Sequence, residues 1–385
     1  MAHLLLALIY LAFISLGLPY GLLGAAWPSV YPELHTPVSY AGIISIIICV
    51  GTVASSLLSD RLTGQLGAGK VTGISVAMTA IALLGFSFSH SFWMLCLWAI
   101  PYGLGAGCVD ASLNNYVALH YSSRHMSWLH CMWGIGASIG PSIMGSLLTS
   151  GHHWSKGYRY IGILQIILSA VLLLSLPLWK KSCQSSTAKP VPLQQVFRIP
   201  GSHQVMIAFF CYCALEQTTG LWAASYFHLH VGFSPENAAT LASLFFLGIT
   251  VGRALSGFLT LKLGNTTMVR LGFMIILPGI MLLLLPIGRF SCVVGLIMMG
   301  LGSAPIYPCM MHATPEYFGT ERSQALMGVQ TASAYLGTAL MSPLFGLIAN
   351  HISISLMGFY LLAILICMMI AHRKLVHICR SKTVK

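Results

Sequence analysis

Apolar residues run in blocks of about twenty along this chain, and polar residues collect in the short gaps between them. A membrane-crossing helix needs roughly 20 predominantly apolar residues. On that measure twelve spans are expected, at 4–26, 39–59, 70–89, 92–119, 127–149, 158–178, 204–228, 237–258, 268–287, 290–312, 323–348 and 353–372. The blocks are too long, and alternate too little, for barrel strands. The first is too long and too interrupted by glycine and proline for a leader peptide. One gap differs from the others. Lys180–Pro200 reads KKSCQSSTAKPVPLQQVFRIP and is expected to link two six-helix halves, 1–179 and 201–373, ahead of a tail at 374–385. The expected fold class is therefore an all-α integral membrane protein with twelve transmembrane helices.

Composition narrows the picture. Of the 385 residues, 57% are hydrophobic and 7% charged, where a soluble domain carries about 25% charged residues. The mean hydropathy is +0.83. These values exclude a water-soluble enzyme, a disordered chain and a nucleic-acid binder, even at a formal net charge of +12. The 11 cysteines form no CxxC pair and lie mostly inside apolar blocks, as small membrane-core residues do. No Ser/His/Asp order, phosphate loop or cofactor fingerprint occurs. No histidine pair has metal-ligand spacing with acidic or cysteine company. The expectation is a monomer with no enzymatic activity, no cofactor and no metal, whose partners are the lipid bilayer, a small-molecule substrate and a coupling ion.

The excess charge is informative by position. With both termini cytoplasmic, 15 Lys and Arg fall in inside loops and tail, and only Lys156, Arg159 and Arg289 fall outside. The positive-inside rule then places the chain in the cell membrane in that orientation.

The two halves repeat. Gly51…Leu58-Ser59…Leu62-Thr63…Leu66-Gly67 returns 197 residues later as Gly248…Leu255-Ser256…Leu259-Thr260…Leu263-Gly264. Gly103-Leu104-Gly105 returns as Gly300-Leu301-Gly302, and Gly136 and Gly145 match Gly337 and Gly346. Parallel repeats of six helices are the arrangement of the major facilitator halves. The loop after span 2, Ser59-Asp60-Arg61…Gly67…Lys70, partly matches that superfamily's cytoplasmic signature, and the second copy keeps Gly252-Arg253 without the acid. Asp60, Arg61 and Arg253 are accordingly gating candidates, against the plainer reading of a positive turn with one local ion pair.

Only 7 acids occur, so each can be placed. Glu33, Glu236, Glu316 and Glu321 fall in loops or at helix ends. Asp110 in span 4 and Glu216 in span 7 fall about mid-span. An ionised carboxylate there costs roughly 2.5 kcal/mol or more, so each is expected to face water, meet a partner or carry a proton. Arg253 lies within a span, but no Lys or Arg is expected mid-membrane beside either acid. Both are therefore proton-coupling candidates. The plainer reading is a protonated carboxyl joining two helices.

Helical spacing supplies neighbours. Asp110 and Asn114 stand at i and i+4, as do Tyr212 and Glu216, with Gln217, Trp222 and Tyr226 following. His130 lies just inside span 5, as a substrate contact, a proton partner of Asp110 or a neutral ring tied to a carbonyl. Amides, carboxylates and flat rings suit a hydroxylated, ring-shaped solute. Trp27, Trp93, Trp154 and Trp179 sit near span ends, where interfacial belts form. Trp133 and Trp222 lie deeper. The substrate-binding candidates are Tyr20, Asn114, His130, Trp133, Tyr212, Glu216, Gln217, Trp222, Tyr226 and Gln330.

Several stretches together resemble the fucose:proton symporter family, the sugar-transporting branch of the major facilitator superfamily; the animal sodium-dependent glucose transporter is a related comparison. They are Gly103-Leu104-Gly105-Ala106-Gly107-Cys108-Val109-Asp110…Asn114, Leu129-His130…Gly134-Ile135-Gly136-Ala137…Gly140-Pro141 and Tyr212…Glu216…Gly220-Leu221-Trp222…Ser225-Tyr226. The resemblance implies a major facilitator fold of two pseudo-symmetric halves around a central cavity, alternating access, sugar transport and proton coupling at Asp110. It also implies a departure. Relatives often carry Asp where this chain has Tyr20, and aligning Gly24 with Gly220 sets Tyr20 opposite Glu216. An exporter of lipophilic compounds, kept open by 19 Met, and a non-transporting receptor of the same fold are the rival readings.

Overall fold

Lipid offers no hydrogen bonds, so a chain crossing it satisfies its backbone within helices. The computed structural model describes residues 2–37, 40–179, 191–233, 235–285 and 288–383, and these contain no strand. Most of the expected linker (180–190) and the last tail residues (384–385) lie outside that set. In chain order the helices are α1 (Ala2–Gly17), α2 (Leu22–Glu33), α3 (Ala41–Leu66), α4 (Ala68–Ser87), α5 (Phe92–His120), α6 (Ser123–Thr149), α7 (Trp154–Leu174), α8 (Leu193–Arg198), α9 (Ser202–Tyr226), α10 (Pro235–Leu263), α11 (Asn265–Leu284), α12 (Arg289–Ser303), α13 (Ile306–His312), α14 (Thr314–Phe318), α15 (Thr320–His351) and α16 (Met357–Thr383).

The twelve expected spans all fall on these helices. Two spans are each broken in the middle. The first breaks between α1 and α2 at Pro19 and Gly21, and the tenth between α12 and α13 at Pro305. Eleven spans are long and apolar enough to cross a membrane. The remaining one is α9, a 25-residue helix whose apolar character is diluted by Tyr212, Glu216, Gln217, Thr218 and Thr219. The last helix runs through the expected tail to Thr383.

The chain divides into two compact units, Met1–Tyr116 with Leu129–Val191, and Val117–Trp128 with Pro192–Lys385. Within each, the glycine repeat has a physical cause. A Cβ on Gly103 would stand 2.4 Å from the Ile48 carbonyl, and one on Gly300 would stand 2.3 Å from the Phe245 carbonyl. Likewise a Cβ on Gly105 would stand 2.7 Å from Ser75 O, and one on Gly302 would stand 2.7 Å from Gly272 O. A Cβ on Gly136 would run into the Ile14 carbonyl, and one on Gly337 into the Phe210 carbonyl. The same helix crossings are thus built twice, each needing a residue without a side chain. Ile14 and Phe210 are also 196 residues apart, the same offset that aligns Tyr20 with Glu216 in the repeat. Gly67 (φ 81) and Gly264 (φ 69) recur for another reason: each ends a helix in a conformation that L side chains rarely adopt.

Gly136→Ala and Gly337→Ala are expected to destabilise the purified protein by about 1–3 kcal/mol each, the cost of overpacking. Gly64→Ala, which would meet nothing within 4 Å, is the control and should be neutral or slightly stabilising. Thermal unfolding in detergent measures the difference.

Three tryptophans differ from the interfacial expectation. Trp27 (5% exposed) and Trp154 (2%) belong to the first unit's core, and Trp179 is buried beside Gly69 and Tyr116. Trp93 is 75% exposed, in keeping with a belt position. Polar side chains tie helices across the first unit. Gln165 Nε2 donates to Ser15 O at 2.6 Å, and Thr79 meets the Gln165 amide oxygen at 3.0 Å.

The turn joining α5 to α6 packs as part of the second unit. Ser123 Oγ donates to Asn265 Oδ1. The Asn265 amide nitrogen then lies 3.1 Å from His312 Nδ1, and His312 Nε2 lies 3.0 Å from Tyr121 O. A carbonyl only accepts and an amide nitrogen only donates, so His312 is the neutral Nε2–H tautomer. Trp128 adds a hydrogen bond to Ala254 O at 3.4 Å and an edge contact with Phe258. Asn265→Ala removes two of the three links in the chain. It is expected to speed labelling of an Arg124→Cys variant by a hydrophilic maleimide severalfold.

Candidate functional site

In the first unit, Asp110 stands on α5 at 7% exposure. Asn114, one turn on, donates its amide nitrogen to Asp110 Oδ1 at 2.8 Å and to the Asp110 carbonyl at 2.9 Å. That fixes the amide orientation, so the Asn114 oxygen faces His130 Nε2 at 3.1 Å as an acceptor. The imidazole donates there and packs its ring edge-on to Phe13. The three residues form one chain, acid to amide to imidazole. Asn114 bonds to both, linking the acid to the imidazole. Among the described residues no cation pairs with Asp110. On the same unit, Tyr20 packs against Trp133 with ring centroids 4.8 Å apart and planes inclined at 60°. Tyr20 is 41% exposed, at the break between α1 and α2.

The second unit carries a different cluster, and here one expectation is corrected. Arg253 of α10 lies beside Glu216 of α9, with Nη2 to Oε2 at 3.5 Å. Both are buried, at 4% and 7% exposure. Arg253 was expected among the gating residues of the repeated loop, with no cation near Glu216. Instead α9 and α10 cross so that the long guanidinium side chain reaches back to the acid. The same Nη2 donates to the Tyr212 hydroxyl at 3.3 Å, and that hydroxyl also hydrogen-bonds Glu216. Glu216 Oε2 is buried and accepts no hydrogen bond. Tyr307 of α13, absent from the sequence-based candidates, packs its ring tilted against Tyr212 at 5.6 Å and edge-on to Phe209 at 4.9 Å. A tyrosine within a broken apolar span carried no spacing signal of its own.

Other candidates are engaged by the protein itself. Trp222 Nε1 donates to Ser342 O at 3.0 Å while its ring fills the space over Gly346. Tyr226 donates to Leu283 O at 3.0 Å, and Gln330 donates to Thr314 at 3.0 Å with no exposed surface. These three brace helix contacts. Gln217 is half-buried on α9. Asp60 accepts a hydrogen bond from the Val191 backbone N–H at 2.9 Å, and Arg61 is exposed.

Two units of long apolar helices, repeating the same crossings and each holding a buried polar cluster, define a multi-pass membrane carrier. The Major Facilitator Superfamily model matches residues 9–290 and 205–377, and the chain belongs to that superfamily of transporters. An uncharacterised transporter of Sinorhizobium fredii, y4wD, is 22% identical over 303 residues, spanning 75% of this chain and 77% of that protein. Among solved structures, the superfamily transporter FucP in its outward conformation superposes with a TM-score of 0.79 at 14% identity, over 95% of this chain and 98% of FucP. XylE, a proton:xylose symporter bound to 6-bromo-6-deoxy-D-glucose, superposes at 0.77 and 14% identity, over 95% and 93% of the two chains.

Proposed function

We propose that this transporter is proton-driven and moves a small hydroxylated solute of the sugar class by alternating access. The observation that carries the reading is Asp110, a carboxyl buried within a membrane helix with no cationic partner among the described residues. Intramembrane acids of that kind mark proton relays. Asn114 holds one of its oxygens and passes the connection to His130, so protonation at Asp110 is felt at a side chain able to bind a hydroxyl. The Tyr20–Trp133 pair offers aromatic surface for the C–H side of a sugar ring. The neighbours support the reading by likeness of fold: FucP is described as the Escherichia coli fucose:proton symporter, and XylE as a proton:xylose symporter. In this reading both termini are cytoplasmic, following the distribution of Lys and Arg. The halves are 1–179 and 201–373. Asp60 acts in gating through its hold on Val191, within the linker.

The test is uptake into vesicles under an imposed inward proton gradient, with L-fucose, D-xylose and D-glucose beside cationic dyes. Gradient-dependent accumulation of a sugar is expected. Accumulation of dyes with no sugar uptake would overturn the reading in favour of an exporter.

A further inference from the structure

The α5–α6 turn brings to one end of the second unit a cation that transport of the solute does not use. Arg124, in the first turn of α6, lays its guanidinium over the Trp128 ring, 5.0 Å from the centroid. Its Nε is buried and has no hydrogen-bond partner. Among the described residues the side chain makes no hydrogen bond and no ion pair. A guanidinium carries five donors and keeps its charge at every working pH. A buried donor with no acceptor in the chain calls for one from outside it.

The floor beneath Arg124 is fixed by two helices. Trp128 Nε1 donates to Ala254 O at 3.4 Å, the ring meets Phe258 at an edge, and a Cβ on Gly257 would run into the indole. The surface of α10 continues in both directions. Lys262, one turn beyond Phe258, is exposed in the last turn of the helix. The other way, Leu255 and Val251 are exposed on the same face, at the three- and four-residue steps of a helix. Ser123, next to Arg124, donates to Asn265, three residues past Lys262, so both cations lie at one end of the unit. Glu316 of α14 acts on His312 of α13 and pairs with neither cation among the described residues.

We propose that Arg124, Trp128, Phe258 and Lys262 bind the headgroup of an anionic phospholipid, whose acyl chain runs along Leu255 and Val251. Basic clusters beside membrane helices recognise such headgroups. The phosphodiester accepts from the Arg124 fork, in the bidentate geometry that guanidinium and phosphate share. Lys262 supplies the second positive charge and disfavours a headgroup that brings an ammonium of its own. Trp128 stands at headgroup level, as interfacial tryptophans do. The bound lipid bridges α6 and α10 beside the Ser123–Asn265 bond. The site is separate from Asp110 and holds whatever the solute.

The experiment is native mass spectrometry of the purified, delipidated full chain in detergent, offered dioleoyl phosphatidylglycerol and dioleoyl phosphatidylcholine in equal amounts. A cation beside an anionic headgroup is worth about fivefold in affinity, so the wild type should prefer phosphatidylglycerol by about 25-fold. Arg124→Gln should lower the preference to about fivefold, and Arg124→Gln with Lys262→Gln should abolish it. Arg124→Lys keeps the charge and should keep most of the preference. Arg373→Gln with Lys374→Gln removes two exposed cations of α16 and should leave the preference unchanged, which separates a site from the general pull of a chain of net charge +12. Fluorescence reports the place. Phosphatidylglycerol brominated high on its acyl chain should quench Trp128, and the quenching lost on Trp128→Phe should be lost equally in Arg124→Gln with Lys262→Gln. Equal binding of the two lipids, or a preference that persists in that double variant, overturns the site. Displacement of phosphatidylglycerol by millimolar inorganic phosphate also overturns it, since the two cations would then take a soluble oxyanion and not a lipid.

Discussion

Asp110→Asn is expected to abolish proton-driven accumulation while leaving exchange of solute across the membrane intact. With one proton per solute, a pH gradient of one unit supports about tenfold accumulation. The variant should reach no more than about onefold, because an amide cannot load and release a proton. The fold should survive the change. Asn114 donates to Asp110 Oδ1, and an asparagine at 110 keeps an oxygen in that place to accept the same bond. His130 also keeps its acceptor on Asn114. Counterflow in proteoliposomes measures exchange without a gradient, so loss of accumulation with retained counterflow isolates coupling from binding. Tenfold accumulation by the variant would reduce Asp110 to a helix-joining hydrogen bond.

The residues that made the fold legible were the glycines. Gly51, Gly103 and Gly67 recur at 248, 300 and 264 because helix crossings and a left-handed turn admit no other residue, so duplication left identities behind. The first unit's cluster was half legible. The i, i+4 spacing announces Asp110 with Asn114, whereas the place of Asn114 between the acid and His130 depends on how α5 meets α6. Crossing geometry also hid the link from Arg253 to Glu216. Residues 37 apart on two helices meet only once the crossing register is known, and the repeated loop drew Arg253 toward a gating role instead. Tyr307 and the allegiance of the α5–α6 turn left no local pattern. Trp222 and Tyr226 show what spacing leaves out. Both look like site aromatics in a polar helix, yet their polar atoms meet backbone carbonyls of α15 and α11.

The second large effect is expected at Arg253. Replacing it by methionine leaves Glu216 as a buried acid whose Oε2 already accepts no hydrogen bond. Removing one partner of a buried pair typically costs about 3–5 kcal/mol, far more than the pair contributes as a whole. Arg253→Met should therefore lower the unfolding midpoint sharply, and Glu216→Leu alone should lower it too by removing the acid beside Arg253. The double variant should recover most of the loss, since exchanging a buried ion pair for apolar residues of similar volume is often neutral or stabilising. Tyr212→Phe, which removes only the hydroxyl between them, should cost about 1 kcal/mol. A double-mutant cycle read by thermal or denaturant unfolding measures the coupling directly. Additive losses would mean that the 3.5 Å approach of the two side chains carries no mutual energy. A coupling of several kcal/mol would mean that the two buried charges are tolerated largely through each other.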